Sequence, residues 1–431
     1  MSTNQNHSPF SSARRGALRR FGQIGLGMSA LGVTATQLAF AKDANDAART
    51  ADGTSCMPNY ARHIDAHGAH QQGVITPDHK EAIVIAFNLT IDTAQELNEL
   101  FKIISRRIRF LTVPQDIPVD KDDRLPPVES GILGGKLEPD LLTVTVAVGH
   151  TLFNDRFGLQ DRKPKHLMEM NRFPNDRLEA KWVGGDLLLQ FCANSRESVI
   201  YALRDIVRHT ERYMSPLWKI DGFLPARDID RGQTAINLFG FKDGTGNADS
   251  KDAALMDDLV WVTAKQEEPA WCEGGSYMAV RLIRFNLQFW DRTPLEDQEN
   301  DFGRDKRSGA PIGMKGEFDD PEMLKDPHGD RILYDSHMRR AEPRDPERHV
   351  AKMRRRSFSY SLGVHPSGLL DMGLIFIAFQ NDLFQGFIHA QTRLNGEPLE
   401  RYIKPFGGGY YFVLPGMKDD NTYLGKGLMK A

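Results

Sequence analysis

Three separated stretches of the chain carry residue types that can do chemistry together. The first is Asn237-Leu238-Phe239-Gly240-Phe241-Lys242-Asp243-Gly244-Thr245-Gly246-Asn247, an acid on a glycine-rich turn. The second is Asp335-Ser336-His337, a histidine in a polar stretch. The third is Arg354-Arg355-Arg356-Ser357-Phe358-Ser359-Tyr360, arginines running into an alternating strand pattern. A carboxylate can carry a proton between two atoms of a small substrate, and a cation can stabilise charge that develops as a bond breaks. An imidazole can ligate iron. Gly244 and Gly246 let the backbone beside Asp243 approach a flat ligand closely. Side chains alternate along a strand, so the three arginines cannot all face one way.

Each stretch also has a plainer reading. The Asp243 turn resembles an Asx turn or a calcium loop, because Asp243, Thr245, Asn247 and Asp249 alternate as oxygen donors. Ala248 and Ala254 stand where an EF-hand needs Gly and Glu, so that fold is excluded. Three arginines in a row commonly face solvent. The chain has 13 histidines, so type alone singles out no ligand, and His365 before Pro366 is the alternative to His337.

The order and wording of the three stretches resemble the dye-decolorising (DyP-type) peroxidase family, specifically its exported deferrochelatase/peroxidase branch of bacterial ferrous-iron uptake systems. The match covers nearly all of the chain beyond its N-terminal stretch, and Gly240-Phe241-Lys242-Asp243-Gly244-Thr245 is its most specific word. The resemblance implies two ferredoxin-like domains with one haem b per subunit, held in the second domain. It implies His337 as axial iron ligand, Asp243 as the distal proton carrier and Arg355 as the distal cation, with Arg356 its alternative. Gly244, Thr245 and Gly246 would line the haem edge, and residues from Met372 to Phe379 would wall the pocket. The acceptor for the second ring nitrogen of His337 is left open by the sequence, with Glu397 one carboxylate that could serve. No Cys-x-x-Cys-His occurs, which excludes thioether-linked haem.

The activity so implied is oxidation of one-electron donors by hydrogen peroxide, with bulky donors served through surface Tyr or Trp relays. Trp218, Trp261, Trp271 and Trp290 are available for that role. The alternative is a deferrochelatase that releases iron from haem and keeps the porphyrin whole. A non-enzymatic haem carrier is the lesser alternative, since it would have no use for Asp243 and Arg355. Partners would be components of an iron-uptake system, and the assembly a homodimer.

Composition sets the outer bounds. The 431 residues are 40% hydrophobic and 26% charged, with a formal net charge of −3. That is the balance of a globular protein, without the basic excess that nucleic-acid binding requires. Cys56, Cys192 and Cys272 are too few for a disulfide scaffold, although a Cys56–Cys272 bridge is conceivable. Residues 1–41 are expected to be a twin-arginine signal peptide. Arg14-Arg15 lie in an acid-free basic region, Phe21 to Ala41 is uncharged, and Ala39-Phe40-Ala41 offers a cleavage site. Export to the periplasm follows as the expectation. Residues 42–78, with His63, His67 and His70, are expected to form a flexible or loosely docked arm rather than a metal site.

The remaining chain must position the three stretches. Strands are expected at 81–89, 141–149 and 186–193, with helices at 93–108 and 196–213. A second set follows: strands at 276–286, 356–363, 373–380 and 410–414, and a helix from about 382 to 394. The echo between Asp186–Asn194 and Gly373–Asn381 suggests duplication. The expected fold is therefore α+β: two ferredoxin-like domains, 79–250 and 251–431, each a split βαβ with an antiparallel sheet covered by helices. Residues 288–350 form a long polar segment of the kind that is usually functional.

Overall fold

The computed structural model describes residues 62–118, 122, 124–342 and 353–430. Residues 1–41, expected to be the signal peptide, and Cys56 lie outside the described residues. Eight main strands build the frame: β1 (Glu81–Leu89), β2 (Thr143–Gly149), β3 (Leu187–Ala193), β4 (Met214–Phe223), β5 (Ser276–Phe285), β6 (Phe358–Val364), β7 (Leu370–Gln380) and β8 (Ile403–Val413). The helices that matter here are α1 (Ala94–Leu111), α2 (Arg196–Thr210), α3 (Leu295–Phe302), α4 (His337–Ala341) and α5 (His389–Leu394).

The first half has strand order β4-β1-β3-β2 and the second β8-β5-β7-β6, all antiparallel. Numbered within each half, both read 4-1-3-2, so the ferredoxin-like unit occurs twice. The halves join edge to edge at β8–β2, where Tyr411 pairs with Gly149, and at β4–β6, where Phe223 pairs with Ser359. The eight strands thus close on themselves, leaving little sheet edge exposed.

Closure explains why the strands read as continuous apolar runs rather than clean alternations. On β1, Ala82, Val84 and Ala86 face the interior with Trp218, Val280, Phe358, Ile377 and Tyr411. Ile83, Ile85 and Phe87 face outward, against Leu97, Leu100, Phe101 and Ile104 of α1 and Val199 and Ile206 of α2. Both faces are buried, as in sheets covered on two sides. Each fully buried large apolar side chain contributes roughly 1.5–3 kcal/mol. Helix α1 starts where Thr93 caps it, its hydroxyl accepting from the Glu96 amide at 3.2 Å.

Strand β4 has no counterpart in the sequence reading. Pro216, Lys219, Asp221 and Gly222 break its pattern, and the β1–β4 register shifts between Ala86 and Phe87, opposite Trp218 and Pro216. A proline cannot donate to the ladder and is accommodated at such a bulge. The expected arm also differs from what is observed over its described part. The side-chain amide of Gln71 donates to the carbonyls of Val146 and Leu414 at 2.8 Å each. His70 stacks on Trp261 with ring centroids 3.9 Å apart. From residue 62 onward, then, this segment is docked, because its polar groups complete the strand ends. Cys192 and Cys272 are buried and, among the described residues, form no disulfide; the Cys56–Cys272 pairing involves a residue outside them. Among the described residues, no helix is long and apolar enough to cross a membrane.

Candidate active site

A cavity of about 660 Å³ opens on the outer face of the second half's sheet, within the size range of cofactor sites. Ile283 and Phe285 of β5 and Leu374 and Phe376 of β7 wall it, while Ile375 and Ile377 point into the closed interior. Of the expected wall from Met372 to Phe379, only Leu374 and Phe376 therefore serve. Phe173 and Asp176 from the first half complete one end, where Asp176 forms a fully buried ion pair with Arg281.

His337 opens α4 and faces this cavity. Its Nδ1 lies 2.6 Å from Glu397 Oε2, and that carboxylate is almost wholly buried. A carboxylate can only accept, so Nδ1 holds the proton, and in the neutral ring Nε2 keeps its lone pair for a ligand. Burial works against charge on the ring, but the Glu397 carboxylate outweighs it and holds the imidazole above its ordinary pKa. The acceptor proposed as Glu397 is thus in hydrogen-bond contact.

The polar stretch around His337 is organised by one buried acid. Asp326 accepts from the amides of Asp330 at 2.8 Å and Ile332 at 3.0 Å, and from Arg339 Nη1 at 3.1 Å. Arg339 lies on the same short helix as His337. Arg393 Nε donates to the Arg340 carbonyl at 3.0 Å, which ties α4 to α5 and so to the turn carrying Glu397.

Asp243 directly follows a tight turn closed by an isolated bridge between Ile236 and Lys242, and its amide donates to the Ala235 carbonyl at 2.8 Å. Asn237 Oδ1 accepts from the amides of Phe239 at 3.0 Å and Phe241 at 3.3 Å. Phe239 and Phe241 anchor the turn in an aromatic cluster with Phe285, Trp290, Phe302 and Tyr402. Gly244 has φ +133, a conformation that side chains resist, which accounts for glycine directly after the acid. Gly244, Thr245 and Gly246 all line the cavity.

The three arginines divide as strand alternation requires. Arg354 turns towards Asp78 and the Ala248 carbonyl. Arg356 is buried on the same side, bonded to the carbonyls of Thr76 and Pro77 and to His79 Nδ1 at 2.6 Å. Arg355 alone enters the cavity, with Nη1 3.4 Å from Asp243 Oδ1. Asn247 fixes its backbone in both directions, accepting from the Arg355 amide at 3.0 Å and donating to its carbonyl at 2.9 Å. His365 occupies the β6–β7 turn, bonded to Ser367, and does not line the cavity.

Sequence reasoning missed two site residues. Asn247 stood inside the glycine-rich word but was read only as an oxygen donor. Glu317, which accepts from Lys242 and from Thr245 at 2.9 Å, had no local signal at all. Among the described residues, no group of three or more His, Cys, Asp or Glu could hold a bare metal ion. The donor set does fit haem: a single oriented imidazole, apolar walls and a polar acid–arginine pair in one cavity.

The fold and site define a haem-binding peroxidase. Residues 71–224 match the family model for Dyp-type peroxidase, N-terminal, and residues 234–418 that for Dyp-type peroxidase, C-terminal. The chain belongs to the Dyp-type peroxidase family. It is 52% identical over 368 residues to the deferrochelatase of Escherichia coli strain K12, covering 85% of this chain and 87% of that one. The deferrochelatase of Shigella flexneri serotype 5b (strain 8401) is also 52% identical over 368 residues, with the same coverage. Among solved structures, the DyP-type peroxidase of Cellulomonas bogoriensis superposes with a TM-score of 0.77 at 29% identity, covering 87% of this chain and 100% of that one. Ferric DtpA of Streptomyces lividans gives 0.77 at 30% identity, with the same coverage.

Proposed function

We propose that this chain is a periplasmic haem-b peroxidase, with one haem per subunit, that uses hydrogen peroxide to oxidise one-electron donors in the service of iron uptake. The observation that carries the reading is the Asp243–Arg355 pair in the same cavity as the His337–Glu397 pair. Bound haem supplies the iron at which peroxide is activated. His337 would hold that iron through Nε2, and Glu397 keeps its ring oriented. Asp243 would take the proton from one peroxide oxygen and return it to the other. Arg355 stabilises the negative charge that develops as the O–O bond breaks. A carboxylate base, where other peroxidases use imidazole, favours acidic working pH. The Arg14-Arg15 leader supports twin-arginine export, and a homodimer is the proposed assembly.

The second reading is deferrochelatase activity, which the name of the relatives at 52% identity favours. Iron release from haem breaks no O–O bond and makes no such demand on Arg355. Loss of a preorganised donor of this kind typically costs ~2.7–4 kcal/mol of barrier, or ~100–1000-fold in rate. Arg355→Leu is therefore expected to cut peroxide-dependent dye oxidation by two to three orders of magnitude, while haem stays bound. The paired measurement is dye turnover with peroxide and metal-free porphyrin fluorescence without it. Fast dye turnover with no porphyrin eliminates the deferrochelatase reading, and porphyrin with negligible dye turnover eliminates the peroxidase reading. A haem carrier would have no use for the acid–arginine pair.

A further inference from the structure

We propose that Glu317 is a positioning residue for Asp243: it holds the Asp243 turn from outside and sequesters the ammonium of Lys242, so that the charge beside Asp243 is set by Arg355. The proposal rests on the assignment of Asp243 as the proton carrier. Glu317 comes from the polar segment, far from the turn in sequence. Its carboxylate bridges the residues on either side of the acid: Oε2 pairs with Lys242 and Oε1 accepts from the Thr245 hydroxyl at 2.9 Å. The pair is largely shielded, with side-chain exposures of 19% for Lys242 and 11% for Glu317.

The surrounding geometry is built for this contact. Gly309 has φ +74, and a Cβ placed there would fall 2.8 Å from Lys242 Cδ and 3.4 Å from Glu317 Cγ. Only a bare backbone lets both stems pass. Arg304 Nη1 donates to the carbonyls of Gly309 at 2.6 Å and Glu317 at 3.1 Å, clamping the two residues together. Burial pushes the Glu317 carboxyl up, but hydrogen bonds from Lys242, Thr234 and Thr245 outweigh it and hold the group below its usual range.

Among the described residues, the charged groups with contacts here can be named. Asp243 faces Arg355 from the arginine strand, Lys242 beside it on the turn and His337 from α4. Glu317 faces Lys242, with Arg304 on its backbone and the neutral Thr234 and Thr245. Without Glu317, Lys242 is the one cation of this set that loses its counter-ion next to Asp243. An added positive charge within reach favours the carboxylate form. The direction of the effect is therefore defined.

The test uses the haem-loaded protein and the pH dependence of kcat/KM for peroxide. Glu317→Gln should shift the acid limb to lower pH by about one unit. Lys242→Met should shift it upward, and the double variant should return it towards wild type. A purely structural role would lower the rate without moving the limb in opposite directions. A second readout needs no haem: a crystal structure of haem-free Glu317→Gln should show the Lys242 ammonium turned to Asp243. If all three variants keep the wild-type limb and Lys242 stays in place, while Asp243→Asn abolishes peroxide turnover, the role of Glu317 is overturned and that of Asp243 stands. If Asp243→Asn turns over peroxide normally, both readings fall.

Discussion

At the scale of single residues, the site separates the His337–Glu397 pair from the Asp243–Arg355 pair, and each is held by a different kind of neighbour. His337 depends on one hydrogen bond to a buried carboxylate. Partners of this kind fix tautomer and ring orientation, and their loss typically costs about 10–100-fold in metal affinity or activity. His337→Ala should abolish stable haem retention, seen as loss of the Soret band after gel filtration. Glu397→Gln should keep the band but weaken haem binding or turnover by about 10–100-fold. A full, unshifted Soret band in His337→Ala would rule that residue out as the ligand. Arg355 is held through its backbone by Asn247, which leaves its guanidinium to reach Asp243 in the cavity.

At the scale of elements, the aromatic cluster under the Asp243 turn also links the site to the surface. Phe302 of α3 meets the His337 ring at 6.0 Å and Trp290 at 5.8 Å. Trp290 meets Tyr402 at 4.9 Å, and Tyr402 meets the half-exposed Phe289 at 5.1 Å. Of the four candidate tryptophans, Trp290 is the one in ring contact with a neighbour of His337. An electron from a bulky donor at the surface would pass inward through Tyr402 and Trp290. Trp290→Phe is expected to slow oxidation of dyes too large for the cavity and to spare small phenols. Equal loss for both donor sizes would show that the route does not operate. Strand β4, by contrast, was hidden by Pro216 and its charged residues. Only pairing across β1 and β6 reveals why that pattern is tolerated.

At the scale of the whole molecule, one buried histidine couples stability to pH. His79 is nearly inaccessible, with Nε2 2.8 Å from the Leu141 carbonyl and Nδ1 2.6 Å from Arg356. A carbonyl only accepts and a guanidinium only donates, so the ring is held neutral. Burial first, and then the Arg356 charge, push its pKa down to about 3. The unfolded chain binds this proton below its ordinary value near ~6.5, whereas the folded chain refuses it until about pH 3. Folding stability should therefore fall as pH drops through that window, by about 1.4 kcal/mol per pH unit from this residue alone. Urea denaturation of the haem-loaded protein between pH 7 and pH 4 measures the slope. His79→Gln, which preserves one donor and one acceptor, should flatten it, and an unchanged slope would remove His79 as the cause.

What the sequence by itself determined was local. The acid on its glycine turn, the histidine stretch, the arginine run and most strand and helix positions follow from patterns within a few residues, because turn chemistry and periodicity are short-range. The duplication was visible in the echo between the third strands of the two halves. Tertiary structure alone decided that the two sheets close edge to edge, since pairing across 262 residues between Tyr411 and Gly149 leaves no local mark. It also decided which arginine enters the cavity, because alternation cannot say which face is which until both faces have neighbours. The same holds for Glu397, only suggested beforehand, and for Glu317: a carboxylate's role is set by the group it meets, and that group lies 60 residues away for Glu397 and 72 or more for Glu317.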